Sequence, residues 1–230
     1  MQFIAAGMHL RELWRDAHRA DDFINETFSY AYDEKYGFLT AYPTNVGTGL
    51  RASAVVHLPA LSSGKKFASL VGEMSRFGAS VKGLYGEGNE NYGSLYVVSN
   101  QKTLGVTEQE ILELVQKVAR QLGSQEQQVR DMALSTDRLG QEDEAYKSYG
   151  VLKYARRLTW KDAMVFLSRL LTGVSDGIIK FEEPCPVFAM MLGIQKANLQ
   201  KLSQRPLSRA ELDVARAGYL RAELPELAGK

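Results

Sequence analysis

Cysteine is nearly missing from this chain. Cys185 is the single one in 230 residues, so no disulfide can form within it, and such thiol-poor composition fits a reducing compartment. Histidine is scarce too, and His9, His18 and His57 are too scattered for a recognisable metal-ligand spacing. No apolar run approaches the ~20 residues of a membrane span. The opening, MQFIAAGMHLRELW, lacks a basic stretch followed by a long apolar one, so no signal peptide is expected there. A formal net charge of +1 supplies no field to gather nucleic acid or an anionic membrane. These absences predict a cytoplasmic protein with neither nucleic acid nor membrane as a direct partner. What remains is ordinary: 45% hydrophobic and 24% charged residues, enough for one sizeable globular domain or one domain with an appendage.

The periodicities place strands early and helices late. Gln2 to Ala6 reads as a short strand. Leu10, Leu13, Trp14, Ala17, Ala20, Ile24, Phe28 and Ala31 mark one face of a long helix from His9 to about Ala31. Strands are expected at Tyr36–Ala41, Ser53–Leu58, Lys82–Tyr85 and Ser94–Val98, with a helix at Lys65–Phe77. Thr107-x-x-Glu110 and Ser208-x-x-Glu211 are capping boxes opening helices, the second running to about Leu224. Further helices are expected at Glu142–Arg156, Trp160–Leu171 and Ala189–Lys201, and the charged run Arg130–Glu144 reads as a solvated face or linker. With few strand–helix–strand alternations, the fold class is α+β, an antiparallel sheet flanked by helices.

Two segments have the composition for chemistry. Pro43–Ser53 (PTNVGTGLRAS) combines glycines that let the backbone approach a ligand, hydroxyls and amides that suit anionic oxygens, and Arg51 entering a strand. By composition alone it reads as a hairpin loop with a surface arginine, and it is not a Walker A sequence. Lys82–Glu90 (KGLYGEGNE) puts Glu87 between two glycines, where a carboxylate could take a proton or hold a cation. By composition alone Glu87 is a solvated turn residue. Trp14 and Trp160 read as core, His57 as a packing residue, and Cys185 between prolines as incidental.

The stretches FLTAYPTNVGTGLRASAVVHLPAL and VKGLYGEGNENYGSLYVVSNQKTLGVTE resemble the paired signatures of the ATP:guanidino phosphotransferase family, and within it the bacterial protein-arginine kinases. The resemblance runs over nearly the whole chain. It implies a guanidino-kinase catalytic fold and transfer of the γ-phosphoryl group of ATP, with Mg²⁺, to arginine guanidinium groups in proteins. Arg51, Ala52, Ser53, Ala54 and Val55 match one nucleotide-binding stretch of that family, and Lys82, Gly83, Leu84, Tyr85, Gly86 and Glu87 another. Glu87 stands at the position of a catalytic carboxylate. Asp213, Arg216 and Ala217 match part of a phosphoarginine-binding regulatory motif, in which Leu212 replaces the first arginine. The implied division is residues 1–175 as catalytic domain and 176–230 as a helical C-terminal extension. Implied partners are arginine-containing protein substrates, a Clp-type protease and a stress repressor.

Three departures shape the expectation. The family's N-terminal domain and its Asn-Glu-Glu-Asp-His loop, which should lie immediately before Gln2, are expected to be missing, leaving the catalytic domain truncated at its N-terminus. Lys82 stands for an arginine, keeping charge but losing the bidentate fork. Tyr42 stands for a cysteine beside the guanidinium. One absent acid/base group costs about 10²–10⁴-fold in rate, so the chain alone is expected to be a very poor kinase. The rival readings are a non-catalytic nucleotide- or phosphoarginine-binding regulatory module and a fragment of a longer kinase. An open sheet edge would also favour a homodimer.

Overall fold

Residues 1–86 and 91–229 are described by a computed structural model. Contacts divide the chain into two units: Met1–Leu84 with Leu95–Gln127, and Tyr85–Ser94 with Gln128–Lys230.

The first unit is built on a three-stranded antiparallel sheet in the order β3 (Ser53–His57), β5 (Leu95–Asn100), β4 (Ala79–Gly83). Ala54 and Val56 of β3 pair with Val98 and Tyr96 of β5, and Val81 of β4 also pairs with Val98. Residues directly opposite in a sheet share a face. This face is therefore apolar, and it belongs to one core cluster with Met74 of α3 (Phe67–Arg76) and with Ile111, Val115, Val118 and Leu122 of α4 (Glu108–Thr136). Phe67 adds an edge-on contact to Tyr96, with ring centroids 4.9 Å apart. Each fully buried aliphatic side chain of this kind contributes about 1.5–3 kcal/mol, which makes the α4 face a principal source of this unit's stability. The helix α1 (Leu10–Thr27) contributes Leu10, with Trp14 partly buried against the cluster. A small hairpin joins β1 (Tyr32–Asp33) to β2 (Gly37–Phe38). The short α2 (Pro59–Ser63) starts at the buried Leu58, and its first amides, Ala60 and Leu61, donate to the buried Glu126 carboxylate at 3.0 and 2.7 Å. That is a helix cap supplied from a distant helix.

The second unit is helical: α5 (Arg138–Tyr154), α6 (Trp160–Ser175), α7 (Val187–Gly193), α8 (Lys196–Lys201) and α9 (Arg209–Glu223). Leu152, Met164, Leu167, Leu170, Met190, Met191 and Leu220 are fully buried. The α5 and α6 helices approach closely at Gly173, where a Cβ would lie 2.7 Å from that of Ala145. The expected boundary at 175/176 falls inside this unit, at the end of α6.

Several expectations change. Residues 2–6 form no strand and are exposed, because no neighbouring edge pairs with them among the described residues. The Tyr36–Ala41 strand shrinks to Gly37–Phe38. The Ala189–Lys201 helix breaks into α7 and α8, with Gln195 extended at the start of α8. The charged run beginning at Arg130 is no linker: α4 continues to Thr136, and Arg130 is buried against Asp176, its Nη2 also donating to the Thr172 carbonyl at 3.3 Å. Both capping boxes form, Ser208 with Glu211 and Thr107 with Glu110. Among the described residues no helix is long and apolar enough to cross a membrane.

Candidate functional site

In the first unit the glycine-containing loop is held rather than loose. Gly47 has φ of +112°, and a Cβ there would sit 2.2 Å from the Thr103 carbonyl oxygen. The Thr48 amide donates to that same oxygen at 2.9 Å. The Thr103 hydroxyl lies 2.9 and 2.8 Å from the carbonyls of Thr44 and Val46. Asn100 closes the far end of the loop: its side-chain amide donates to Leu50 and Lys102 carbonyls, and its oxygen accepts from the Ala52 amide at 2.9 Å. Ala52 lies between Arg51 and Ser53, so the backbone that presents Arg51 is anchored while its side chain is exposed.

The sheet register then brings Ser53 and Val55 of the first expected stretch and Lys82 of the second onto one face. Ser53, Ser99 and Ser80 form one cross-strand row, and Val55, Val97 and Lys82 the next. These rows lie on the face away from the core. Ser53, Val55 and Lys82 are exposed, whereas Ala52 and Ala54 turn inward. Lys82 and Val55 are separated by two strand spacings, roughly 10 Å. Gly83 pairs with Tyr96, and the amide of Leu84 still donates to Leu95 at 2.8 Å. His57 is partly buried in β3, opposite Leu95. Tyr42 is 72% exposed. A shallow cleft of about 450 Å³ near β1 and β2 is lined by Tyr36, Phe38, Thr103 and Glu108, and not by Arg51 or Lys82. The candidate site of this unit is an open sheet face that carries Lys82, with the exposed Arg51 two residues before β3. Such an arrangement suits a polyphosphate, which needs cationic and hydrogen-bonding partners along its length.

In the second unit Tyr85 and Tyr92 bracket the segment that carries Glu87, and Glu87 itself lies outside the described residues. Gly86 is partly buried. Both tyrosines meet Trp160 edge-on, with centroids 5.9 and 6.0 Å away. Burial pushes the Tyr85 phenol above its ordinary value. Trp160, read from sequence as core, is only partly buried. The signal available in sequence was the pair of tyrosines framing GEGNEN.

At α9, Asp213 and Arg216 are neither exposed nor open. Their side chains are 9% and 4% accessible and pair at 2.7 Å. Arg216 also donates to the carbonyls of Leu158 at 2.8 Å and Ile194 at 3.2 Å. Ala217 is fully buried. The exposed Arg157 lies 3.9 Å from the second Asp213 oxygen. Among the described residues no group of three or more His, Cys, Asp or Glu is arranged to hold a metal ion. Burial pushes the Cys185 thiol up to about 11, which keeps it protonated and unreactive at neutral pH.

Comparisons with known proteins agree with the motifs. The family described as ATP:guanido phosphotransferase, C-terminal catalytic domain, matches residues 1–129. The protein-arginine kinase McsB C-terminal domain matches residues 138–230. The protein-arginine kinase of Caldanaerobacter subterraneus subsp. tengcongensis is 40% identical over 97% of this chain and 66% of its own length. That of Pelotomaculum thermopropionicum is 40% identical over 99% of this chain and 64% of its own. The chain thus spans just under two thirds of the length of these relatives. A crystal structure of lombricine kinase covers 54% of this chain and 34% of its own, with 29% identity and a TM-score of 0.45. With a family match over more than half its length, the chain belongs to the ATP:guanido phosphotransferase family.

Proposed function

We propose that this protein transfers the γ-phosphoryl group of ATP to guanidinium groups of arginine residues in proteins. The observation that carries the proposal is the sheet register, which sets Ser53, Val55 and Lys82 on one exposed face beside the anchored Arg51. Arg51 would clamp phosphate oxygens through its planar fork, and Lys82 would add a point charge. Mg²⁺ bound with the nucleotide would neutralise charge on the phosphates. Glu87 would accept the proton that leaves the guanidinium. A guanidinium nitrogen then bonds to the γ-phosphorus, the bond from that phosphorus to the bridging oxygen breaks, and ADP departs. Arginine-bearing proteins are the substrates this reading requires. Reading of the mark by a Clp-type protease and control of a stress repressor are proposed on family resemblance.

A second reading, a nucleotide-binding module without turnover, is favoured by Lys82 and Tyr42, which weaken the fork and replace a thiol. The test is transfer from γ-labelled ATP to an arginine-rich protein, read as acid-labile phosphate, beside Glu87→Gln. The kinase reading predicts slow labelling that Glu87→Gln lowers by about 10²-fold or more. ATP binding with no labelled product would favour the module. Neither binding nor labelling would sink both.

A further inference from the structure

We propose that the cleft between the β1–β2 hairpin and the start of α4 is a docking subsite for an arginine side chain of a protein substrate, apart from the sheet face assigned to ATP. The choice of occupant rests on the kinase reading above. The cleft holds about 450 Å³, and neither Arg51 nor Lys82 lines it. Tyr32, Tyr36 and Phe38 supply aromatic surface, and the charged residues of the lining are Glu34, Glu108 and Glu110 with Lys35. Among the described residues neither Glu34 nor Glu108 has an ion-pair partner within 4.0 Å. Tyr32 and Tyr36 remain 60% and 46% exposed, so their ring surfaces are open to a ligand. One cation already lies at this wall: the Lys35 ammonium is 5.2 Å from the Tyr36 ring centroid. A guanidinium meets such a lining better than an ammonium does, because its plane stacks on a ring while its edge forks onto a carboxylate.

Both walls of the cleft are fixed by hydrogen bonds. The Asp33 carboxylate accepts from the Lys35 and Tyr36 amides at 2.8 and 3.0 Å, which sets the hairpin turn. Gly37 has φ of +74°, and a Cβ there would stand 2.6 Å from the Gly47 carbonyl oxygen, so a glycine is needed for the two backbones to meet. Phe38 and Gly47 exchange backbone hydrogen bonds at 2.8 and 3.1 Å, and the Thr48 amide ties the same segment to the Thr103 carbonyl of the opposite wall. Phe38 is held edge-on by Tyr30 and Tyr32, with centroids 5.8 and 5.3 Å away. At the first turn of α4 the Glu110 carboxylate accepts from the Thr107 amide and hydroxyl at 2.8 and 3.0 Å. Those bonds lower its pKa and keep it charged. The hairpin, Gly47 and Thr103 thus form one frame. An entering side chain meets aromatic and acidic groups that need no ordering first, which is what makes a subsite effective.

The test is fluorescence anisotropy of a labelled peptide of alternating arginine and glycine, titrated with the full chain in the absence of ATP. The same peptide with uncharged citrulline in place of arginine runs beside it. The arginine peptide is expected to bind more tightly than the citrulline one by about fivefold or more. Tyr36→Ala and Glu108→Gln should each weaken it about twofold to fivefold, the range of an exposed cation–π or charge contact. Lys35→Ala should tighten it by a similar factor, because it vacates the Tyr36 ring. The ATP Kd should hold in all three, and peptide KM should rise in the first two while kcat stays the same. Glu108→Gln keeps the side-chain size and Lys35 is exposed, so these two carry the test if Tyr36→Ala fails to fold. No binding, equal binding of the two peptides, or binding that every substitution leaves unchanged would overturn the proposal. Cleft-dependent binding by a chain that transfers no phosphoryl group would uphold the cleft and refute the kinase reading. Acid-labile transfer whose peptide KM no substitution alters would do the reverse.

Discussion

Arg51 and Arg216 carry the same guanidinium into opposite surroundings. Arg51 is exposed at the end of an anchored loop, while Arg216 is buried and spends its donors on Asp213, Leu158 and Ile194. The family resemblance implied phosphate binding for both residues, because a motif match reports residue identity and not what lies against the side chain. The break between α7 and α8 leaves the Ile194 carbonyl to accept from Arg216. The consequence is measurable. Arg216→Ala leaves Asp213 buried with only the exposed Arg157 at 3.9 Å, and removing one member of such a pair costs about 3–5 kcal/mol. Chemical denaturation should show a loss of that size. A loss below about 1 kcal/mol would mean that the pair behaves as an exposed one.

At the scale of elements, the loop from Pro43 to Ala52 is a hydrogen-bonded structure whose partners, Asn100 and Thr103, lie in and just after β5. Gly47 is the position that tolerates least. Gly47→Ala would force a β-carbon into left-handed backbone and against the Thr103 carbonyl. Strained backbone of this kind costs about 1–3 kcal/mol, so the urea midpoint of the first unit should fall accordingly. ATP affinity should fall with it, because the loop presents Arg51. An unchanged midpoint would show that the loop rearranges freely. Strands β3 and β5, the long helices and both capping boxes were legible in sequence because their signals are local: alternation, a 3.6-residue period, and Ser or Thr three residues before Glu. The strands expected at residues 2–6 and Tyr36–Ala41 were not formed as read. The Glu126 cap on α2 and the Arg130–Asp176 pair were not legible. Their partners stand 65 and 46 positions away, and only folding brings them together. Trp160 was legible as apolar, but not as the ring that two tyrosines share.

For the whole molecule, the glycine loop, β3 and β4 belong to the first unit, and the stems around Glu87 belong with the helical second unit. The chain spans just under two thirds of its relatives' length. The family was legible because its signatures are contiguous runs of residues. The faces were not, because they depend on the register Ser53–Ser99–Ser80 and Val55–Val97–Lys82. The central claim is that this exposed face holds the phosphates of ATP, and calorimetric titration of ATP with Mg²⁺ tests it most directly. Arg51→Ala should weaken binding by about 10–100-fold, the scale of a lost charge-assisted hydrogen bond, and Lys82→Arg should tighten it by restoring the fork. ATP binding that neither substitution changes would place the nucleotide elsewhere and contradict the account.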